Sequence, residues 1–459
     1  MSSNWTPLVS LKRMTHIPHT LFLWPVESST LWTLARFPVK RKLKPTLPAV
    51  SLHPWVAHLE DQLIATDRYH SFDLAVQQAL PQGIDEPKDW NITSARSFLE
   101  FASKLLTSWV PFENRDGTYI YRVIAVFYFI FDQPAIIDLQ TSIHPSSIGS
   151  DSLPVRTWLS SWLLKYAQVM GEWLDNPASL TAESYQSIVN SPQYRMKDPC
   201  DYYIPDPESP TGGFGCFNNF FKRHLRDPSV RPISAPHDNR VIVFPADSTF
   251  DDSWPVDENS MVTIKSVKWP MKALLLGSEF SSDFAGGVWM HAFLNTFDYH
   301  RQHSPVSGKV VEAKIIQGLT YFNVTAKQNP ATGQCTVTHD RTSTEAKASS
   351  QDPEKPVTAQ LHAPDDAGYQ FVQMRGCIVI DGGKEIGHVA VLPVGMAHVS
   401  SIGLSVKVGD IVTKGQEISW FQFGGSDIVL VFERKANLGS WATPQQHCFM
   451  GEQLAIANP

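Results

Sequence analysis

Apolar residues recur every three or four positions along Ala95–Trp109 (ARSFLEFASKLLTSW) and Arg156–Trp173 (RTWLSSWLLKYAQVMGEW). That is the spacing of helices that bury one face. Val123–Asp132 (VIAVFYFIFD) is apolar almost throughout, too short to span a bilayer, and reads as a buried helix. Proline and glycine clusters separate such segments from about Leu52 to Tyr203, which predicts a helical accessory domain over 51–203 with its aromatic residues in its own core.

After a Pro- and Gly-rich stretch, Ile204–Gly215, the period changes. Val241–Phe244, Val310–Ile316, Cys377–Ile380, His388–Leu392 and Ile428–Phe432 are short, rich in β-branched residues and bounded by Gly, Pro or Asp, which predicts strands. The expected architecture is α+β: the helical domain, then a mainly antiparallel β-sandwich over 204–459. Gln328–His362 is polar and reads as a long surface loop. Residues 1–50 carry seven basic residues against the single acid Glu27 and read as a flexible basic leader. An organelle transit peptide, hence mitochondrial targeting, is the alternative to a cytoplasmic protein.

Charge and cysteine content narrow the partners. A net charge of −7 gives no overall basic field for nucleic acid, while the leader leaves contact with anionic lipid open. The five cysteines are odd in number, scattered and without a CxxC pair, so neither a disulfide framework nor a thiolate zinc site is expected.

Ser304–Ala313 and Val406–Ser419 have the strand-turn-strand form of biotinyl and lipoyl carrier domains, but no lysine stands at a hairpin tip to bear a cofactor. In its place is Phe423-Gly424-Gly425-Ser426-Asp427, then the strand IVLVFE. Two glycines leave the Gly425 carbonyl open to attack by the Ser426 hydroxyl. His300 and His303 lie three apart in DYHRQHSP; without a third ligand they support no metal, and they are either structural or acid–base groups. Asp247, in PADS after a predicted strand, is a turn residue or a carboxylate partner for a histidine.

Taken together and in this order, PADS, DYHRxHSPVSG and FGGS resemble the phosphatidylserine decarboxylase family, whose members cut themselves and make a pyruvoyl group from an internal serine. Phe220-Phe221-Lys222-Arg223-His224-Leu225, Arg231-Pro232, Val394-Gly395-Met396-Ala397 and KGQEISWFQFGGS support the likeness, which covers about Ser209 to the C-terminus. The helical region before it is similar to that of fungal members acting on free amino acids.

The resemblance implies that Asp247 orients His303 and that His303 deprotonates Ser426 for attack on Gly425. The resulting ester is lost by β-elimination, which leaves a dehydroalanine at 426 whose enamine is hydrolysed by water to pyruvoyl and ammonia, giving two noncovalently associated chains. That group, the expected cofactor, would form a Schiff base with a substrate amine and accept the electrons released with CO2, with His300 returning a proton. No metal is implied. The expected substrate is an amino acid, provisionally aromatic; phosphatidylserine is the alternative, and a noncatalytic β-sandwich binding or scaffold protein is the rival from outside the enzymes. Asp427 replaces the usual Ser or Thr after the cleaved serine. Its charge is expected to oppose the oxyanion forming at Gly425, unless strand alternation turns it to the other face. His398 stands where related members often carry an acid or amide, which implies an altered substrate pocket.

Overall fold

Local capping explains where the helices begin. In the computed structural model the hydroxyl of Ser94 accepts from the Ser97 backbone, and Ser97 answers to the Ser94 backbone, opening the helix Ala95–Thr107. Thr181 and Ser184 do the same for Ala182–Asn190, and Thr157 caps Trp158–Leu174. In chain order the helices are α1 (Pro54–Ala65), α2 (Tyr69–Ala79), α3 (Ala95–Thr107), α4 (Tyr119–Phe131), α5 (Trp158–Leu174), α6 (Ala182–Asn190), α7 (Phe217–Phe221) and α8 (Met271–Leu274). The structure describes residues 51–82, 89–143, 148, 152–264, 267–320, 324–328, 335–339, 368–398 and 401–458. The basic leader and most of the predicted 328–362 loop lie outside them.

α4 is buried from Val123 to Phe131, as its uniformly apolar sequence predicts. Phe127 stacks on Tyr166 of α5 at 4.6 Å and meets Phe98 of α3 at 5.7 Å. Each such buried aromatic contributes roughly 1.5–3 kcal/mol by leaving water. No helix among the described residues is long and apolar enough to cross a membrane.

The strands are β1 (Val241–Val243), β2 (Ser248–Pro255), β3 (Met261–Ile264), β4 (Val267–Pro270), β5 (Val288–Leu294) and β6 (Arg301–His303). They continue with β7 (Gly308–Ile316), β8 (Val324–Gln328), β9 (Cys335–His339), β10 (Arg375–Asp381), β11 (His388–Met396) and β12 (Ile402–Leu404). The last are β13 (Ile411–Val412), β14 (Glu417–Phe421), β15 (Gly425–Phe432), β16 (Leu438–Gly439), β17 (His447–Cys448) and β18 (Gln453–Ala457). Eight form one antiparallel sheet in the order β13-β7-β10-β11-β15-β5-β2-β17, and three-stranded sheets β12-β14-β6 and β1-β18-β16 accompany it. The α+β class and the antiparallel pairing agree with the sequence pattern. β9 lies inside the stretch read as a loop and pairs with β8, which ends where that stretch begins; its consecutive β-branched Thr336, Val337 and Thr338 favour a strand but are obscured by the polar surroundings.

β15 sits near the middle of the large sheet, between β11 and β5, and Ile428–Phe432 are wholly buried. Burial on both faces is why this strand reads as a continuous apolar run without alternation. Pro393 lies in neighbouring β11, where its ring is accommodated by Gly376 of β10: a Cβ there would come within 2.9 Å of the proline Cγ. A single connected set of buried side chains runs from Val56 in α1 to Ala457 in β18.

Candidate active site

β15 begins where a tight turn ends. Gln422 donates its N–H to the Ser401 carbonyl at 3.1 Å, and Phe423 donates to Asn218 Oδ1 at 3.2 Å. Gly424 then adopts φ 147°, which only glycine enters at little cost. Gly425 pairs with Met396 on one side, and Ser426 lies between Gly395 and Leu294. Ser426 is wholly buried, and its Oγ has no hydrogen-bond partner. An orphaned buried hydroxyl costs about 1–3 kcal/mol, so position 426 is not tuned for stability.

The turn reaches His300 through aromatic rings. Phe423 packs against Trp109, Phe217 and Phe221, with centroids 5.3–5.5 Å apart, and Phe221 stacks on His300 at 3.9 Å. Phe221 belongs to α7, whose Asn218 also donates Nδ2–H to Gly171 and Asp175 of the α5 end. The helical region thus positions the glycine turn. His300 is completely buried, and among the described residues neither ring nitrogen makes a hydrogen bond of normal geometry, although the Asp298 backbone lies close enough to act on the ring. Burial, reinforced by the Arg223 charge, holds its pKa well below the ordinary histidine value.

His303 is held by both nitrogens. Its Nδ1 lies 2.7 Å from the Gly415 carbonyl and its Nε2 3.0 Å from Tyr299 Oη. A carbonyl only accepts, so Nδ1 carries the hydrogen and Nε2 presents its lone pair to the tyrosine hydroxyl. Gly415 is fixed because Lys414 Nζ donates to the carbonyls of Ala235, Asp238 and Val241 at 2.6–2.8 Å. The KGQE segment is therefore a scaffold for the base. Burial lowers the His303 pKa, opposed by the Gly415 contact and by Glu417 and Asp247.

Asp247 departs from the expected arrangement. Its carboxylate accepts from Arg231 Nη2 at 2.7 Å and Nε at 3.0 Å and from the Met450 N–H at 2.9 Å, while no hydrogen bond joins it to His303. The orienting contacts on His303 are Gly415 and Tyr299; Asp247 acts on it only as a nearby buried charge. The reason is competition: a bidentate guanidinium matches a carboxylate better than an imidazole does. Arg231 was visible beside Pro232, but no spacing rule links it to PADS.

Asp427 turns to the face opposite Ser426, as strand alternation requires, and pairs there with His291 at 3.1 Å. The carboxylate is thus not aimed at the scissile carbonyl. His398 lies in the segment that passes the glycine turn, since Met396 pairs with Gly425 and Ile402 with Phe421. Its ring sits 4.9, 5.2 and 5.7 Å from Phe127, Tyr128 and Tyr166, with both nitrogens unpartnered. Burial lowers its pKa to about 3. Tyr299, Asn218 and His291 were missed from sequence; only Tyr299 carried a signal, its place inside DYHRQH. The one group of three possible metal ligands among the described residues, Asp283, His388 and Glu433, lies at the opposite end of β11 and β15.

A family model described as phosphatidylserine decarboxylase matches residues 217–456, just over half of the chain, and takes in Asp247, His300, His303 and Ser426. The chain belongs to the phosphatidylserine decarboxylase family. Decarboxylase iboD of Amanita muscaria (strain Koide BX008) is 29% identical over 51% of this chain and 63% of its own length. Phosphatidylserine decarboxylase proenzyme 3 of Schizosaccharomyces pombe is 30% identical over 51% of this chain and 20% of its own. L-tryptophan decarboxylase of Psilocybe cubensis is 26% identical over 50% of this chain and 49% of its own. The chain thus spans less than two thirds of the length of each of these relatives. Helices α4 and α5, which supply the rings around His398, precede the stretch matched by the phosphatidylserine decarboxylase model.

Proposed function

We propose that this chain is a proenzyme that cuts itself between Gly425 and Ser426 and then decarboxylates an amino acid. One observation carries the reading: Ser426 Oγ is buried and unpartnered directly after two glycines, in a family with relatives named as proenzymes. Ser426 attacks Gly425, and His303, with Nε2 as its basic end, takes the hydroxyl proton once the Tyr299 hydroxyl gives way. A pyruvoyl group made from Ser426 would supply the carbonyl that receives the substrate amine and the electron sink for CO2 loss. The residues at 426 fit such a group, because the orphaned Oγ is consumed in making it and leaves no buried donor unpaired. His300, kept neutral by burial against Phe221, is free to take up a proton during turnover, and because burial makes its protonated form a stronger acid it is suited to give that proton to the substrate carbon.

The amino-acid substrate rests on the likeness to a protein named L-tryptophan decarboxylase. The proenzyme name of the Schizosaccharomyces relative supports phosphatidylserine instead. Mass spectrometry of the purified protein, followed by amine detection from aromatic amino acids and from phosphatidylserine vesicles, separates the cases. Two chains and an amine from a free amino acid are expected. Ethanolamine headgroups would move the substrate to lipid, and a single intact chain with no product would leave the scaffold protein.

A further inference from the structure

Behind the scissile bond, on the sheet face away from Ser426, polar side chains form a line through an otherwise apolar layer. Asp251 of β2 approaches His291 Nδ1 at 2.5 Å, and His291 Nε2 approaches Asp427 Oδ2 at 3.1 Å. Gln370 Nε2 lies 3.4 Å from the same oxygen and 3.1 Å from His291 Nε2, so two donors converge on Asp427 Oδ2 while Oδ1 has no partner. Asp427 and Gln370 are fully buried and His291 nearly so, whereas Asp251 at the outer end retains 17% side-chain exposure. Trp289 stacks on the His291 ring at 5.9 Å and Tyr369 meets its edge at 6.5 Å, closing the flanks.

An aspartate in a central strand is unfavourable on two counts, its low strand propensity and the cost of burying charge. Both nitrogens of His291 face carboxylate oxygens, which can only accept, and these two charges outweigh the Gln370 Nε2 donor 3.1 Å from Nε2, so the ring is placed to donate from both as an imidazolium. Burial opposes that charge, but Asp427 and Asp251 outweigh it and push the pKa up to about 10. The second negative charge of the trio sits at Asp251, where water reaches it. Asp427 is therefore a neutralised anchor.

Charge matters here because Asp427 adjoins the bond that is cut. Gly424 and Gly425 give the turn little conformational preference of its own, and Ser426 Oγ makes no bond that would hold its side chain. Strand alternation puts the side chain of 427 on one face and that of 426 on the other, so Asp427 bears on the reacting bond through its charge and not by contact.

We propose that His291 serves self-cleavage through charge: on the far face, where strand alternation places the Asp427 carboxylate, it pairs with that carboxylate and cancels a charge that would oppose the oxyanion at Gly425. The inference rests on the self-cleavage reading above. In the step it serves, the Oγ–C bond to Gly425 forms, the C–N bond to Ser426 breaks, and the Oγ proton passes through the base to the departing nitrogen.

The test is the half-time of chain separation during cell-free synthesis, beside thermal unfolding of each variant in a Ser426→Ala background that cannot cut. His291→Gln should separate at least about tenfold more slowly, since an unneutralised carboxylate is left beside the reacting bond. Adding Asp427→Thr to His291→Gln should restore the rate to within about threefold of wild type, which a purely structural role of His291 would not produce. Asp427→Thr alone should separate no faster than wild type, because its charge is already cancelled, and this arm stands even if His291→Gln fails to fold. Wild-type speed in His291→Gln, an equally slow but folded double variant, or an Asp427→Thr single variant faster by about tenfold would each overturn the proposal. Failure of wild type itself to separate would instead remove the self-cleavage reading.

Discussion

The ring of Phe221 lies 3.9 Å from that of His300, centroid to centroid, at an interplanar angle of 29°, and the same phenylalanine packs edge-on against Phe423 at 5.3 Å. One side chain of a short helix thus couples the first histidine of DYHRQH to the glycine turn. The contact gives the two histidines different environments. His300 is fully buried, with neither ring nitrogen in a hydrogen bond of normal geometry among the described residues, whereas His303 is tied by Gly415 and Tyr299 with a defined basic nitrogen.

That difference predicts separable defects. His303→Ala should leave the chain uncut, because it removes the base whose tautomer Gly415 fixes. His300→Ala should cut but decarboxylate poorly, with kcat reduced about a hundredfold or more, the usual worth of a lost acid–base group. Denaturing gels and amine release read the two steps separately. Normal cutting by the His303 variant would end the division of roles.

Tyr299 invites the opposite expectation. Its hydroxyl covers His303 Nε2, while Gly415 alone fixes the tautomer. Tyr299→Phe should therefore cut at least as fast as wild type, and a slowing beyond about tenfold would show that the hydroxyl takes part in proton transfer. A time course of chain separation decides this.

Asp247 should matter through the fold. Arg231 and Asp247 are each about 2% exposed and bonded to one another, so Asp247→Ala leaves a buried guanidinium with only part of its partners. Breaking such a pair costs about 3–5 kcal/mol, and the unfolding midpoint of the uncut Ser426→Ala protein should fall accordingly. An unchanged midpoint together with lost cutting would return Asp247 to a direct role on His303.

How much of this was legible in the sequence depends on which physics set each feature. Helices α3 and α5 and strand β15 were legible because burial imposes a period or an unbroken apolar run on the chain itself. The short motifs pointed to Ser426, His300 and His303, whose chemistry needs those residue types. The partners were not legible. His291 meets Asp427 across a strand pair, Arg231 meets Asp247 from a loop, and Asn218 meets the Phe423 backbone from α7. Such contacts depend on register and topology, for which one sequence carries no local signal. Strand β9 was missed for a different reason, a run of only three β-branched residues inside polar sequence.

The last prediction concerns pH. His398 is enclosed by Phe127, Tyr128 and Tyr166, and burial takes its pKa from the ordinary 6.5 to about 3. Between those values the unfolded chain binds a proton that the folded chain does not. Stability therefore rises with pH through this window and is lost on acidification from about 6.5 downward, at about 1.4 kcal/mol per pH unit. His291, whose pKa is raised, contributes the reverse slope, which lies between its ordinary value and about 10 and is flat below 6.5. His300 and His303 are also lowered, so the acid slope does not vanish when His398 is removed. His398→Phe places an apolar ring of similar width in an aromatic cage and eliminates one titrating group. From pH 7 to pH 5 wild type should lose about 2 kcal/mol more than His398→Phe, read from denaturant unfolding of the uncut Ser426→Ala protein at both values. Parallel loss in the two proteins would mean that His398 binds its proton in the folded chain as readily as in the unfolded one, and the cage would then have to open to water at low pH.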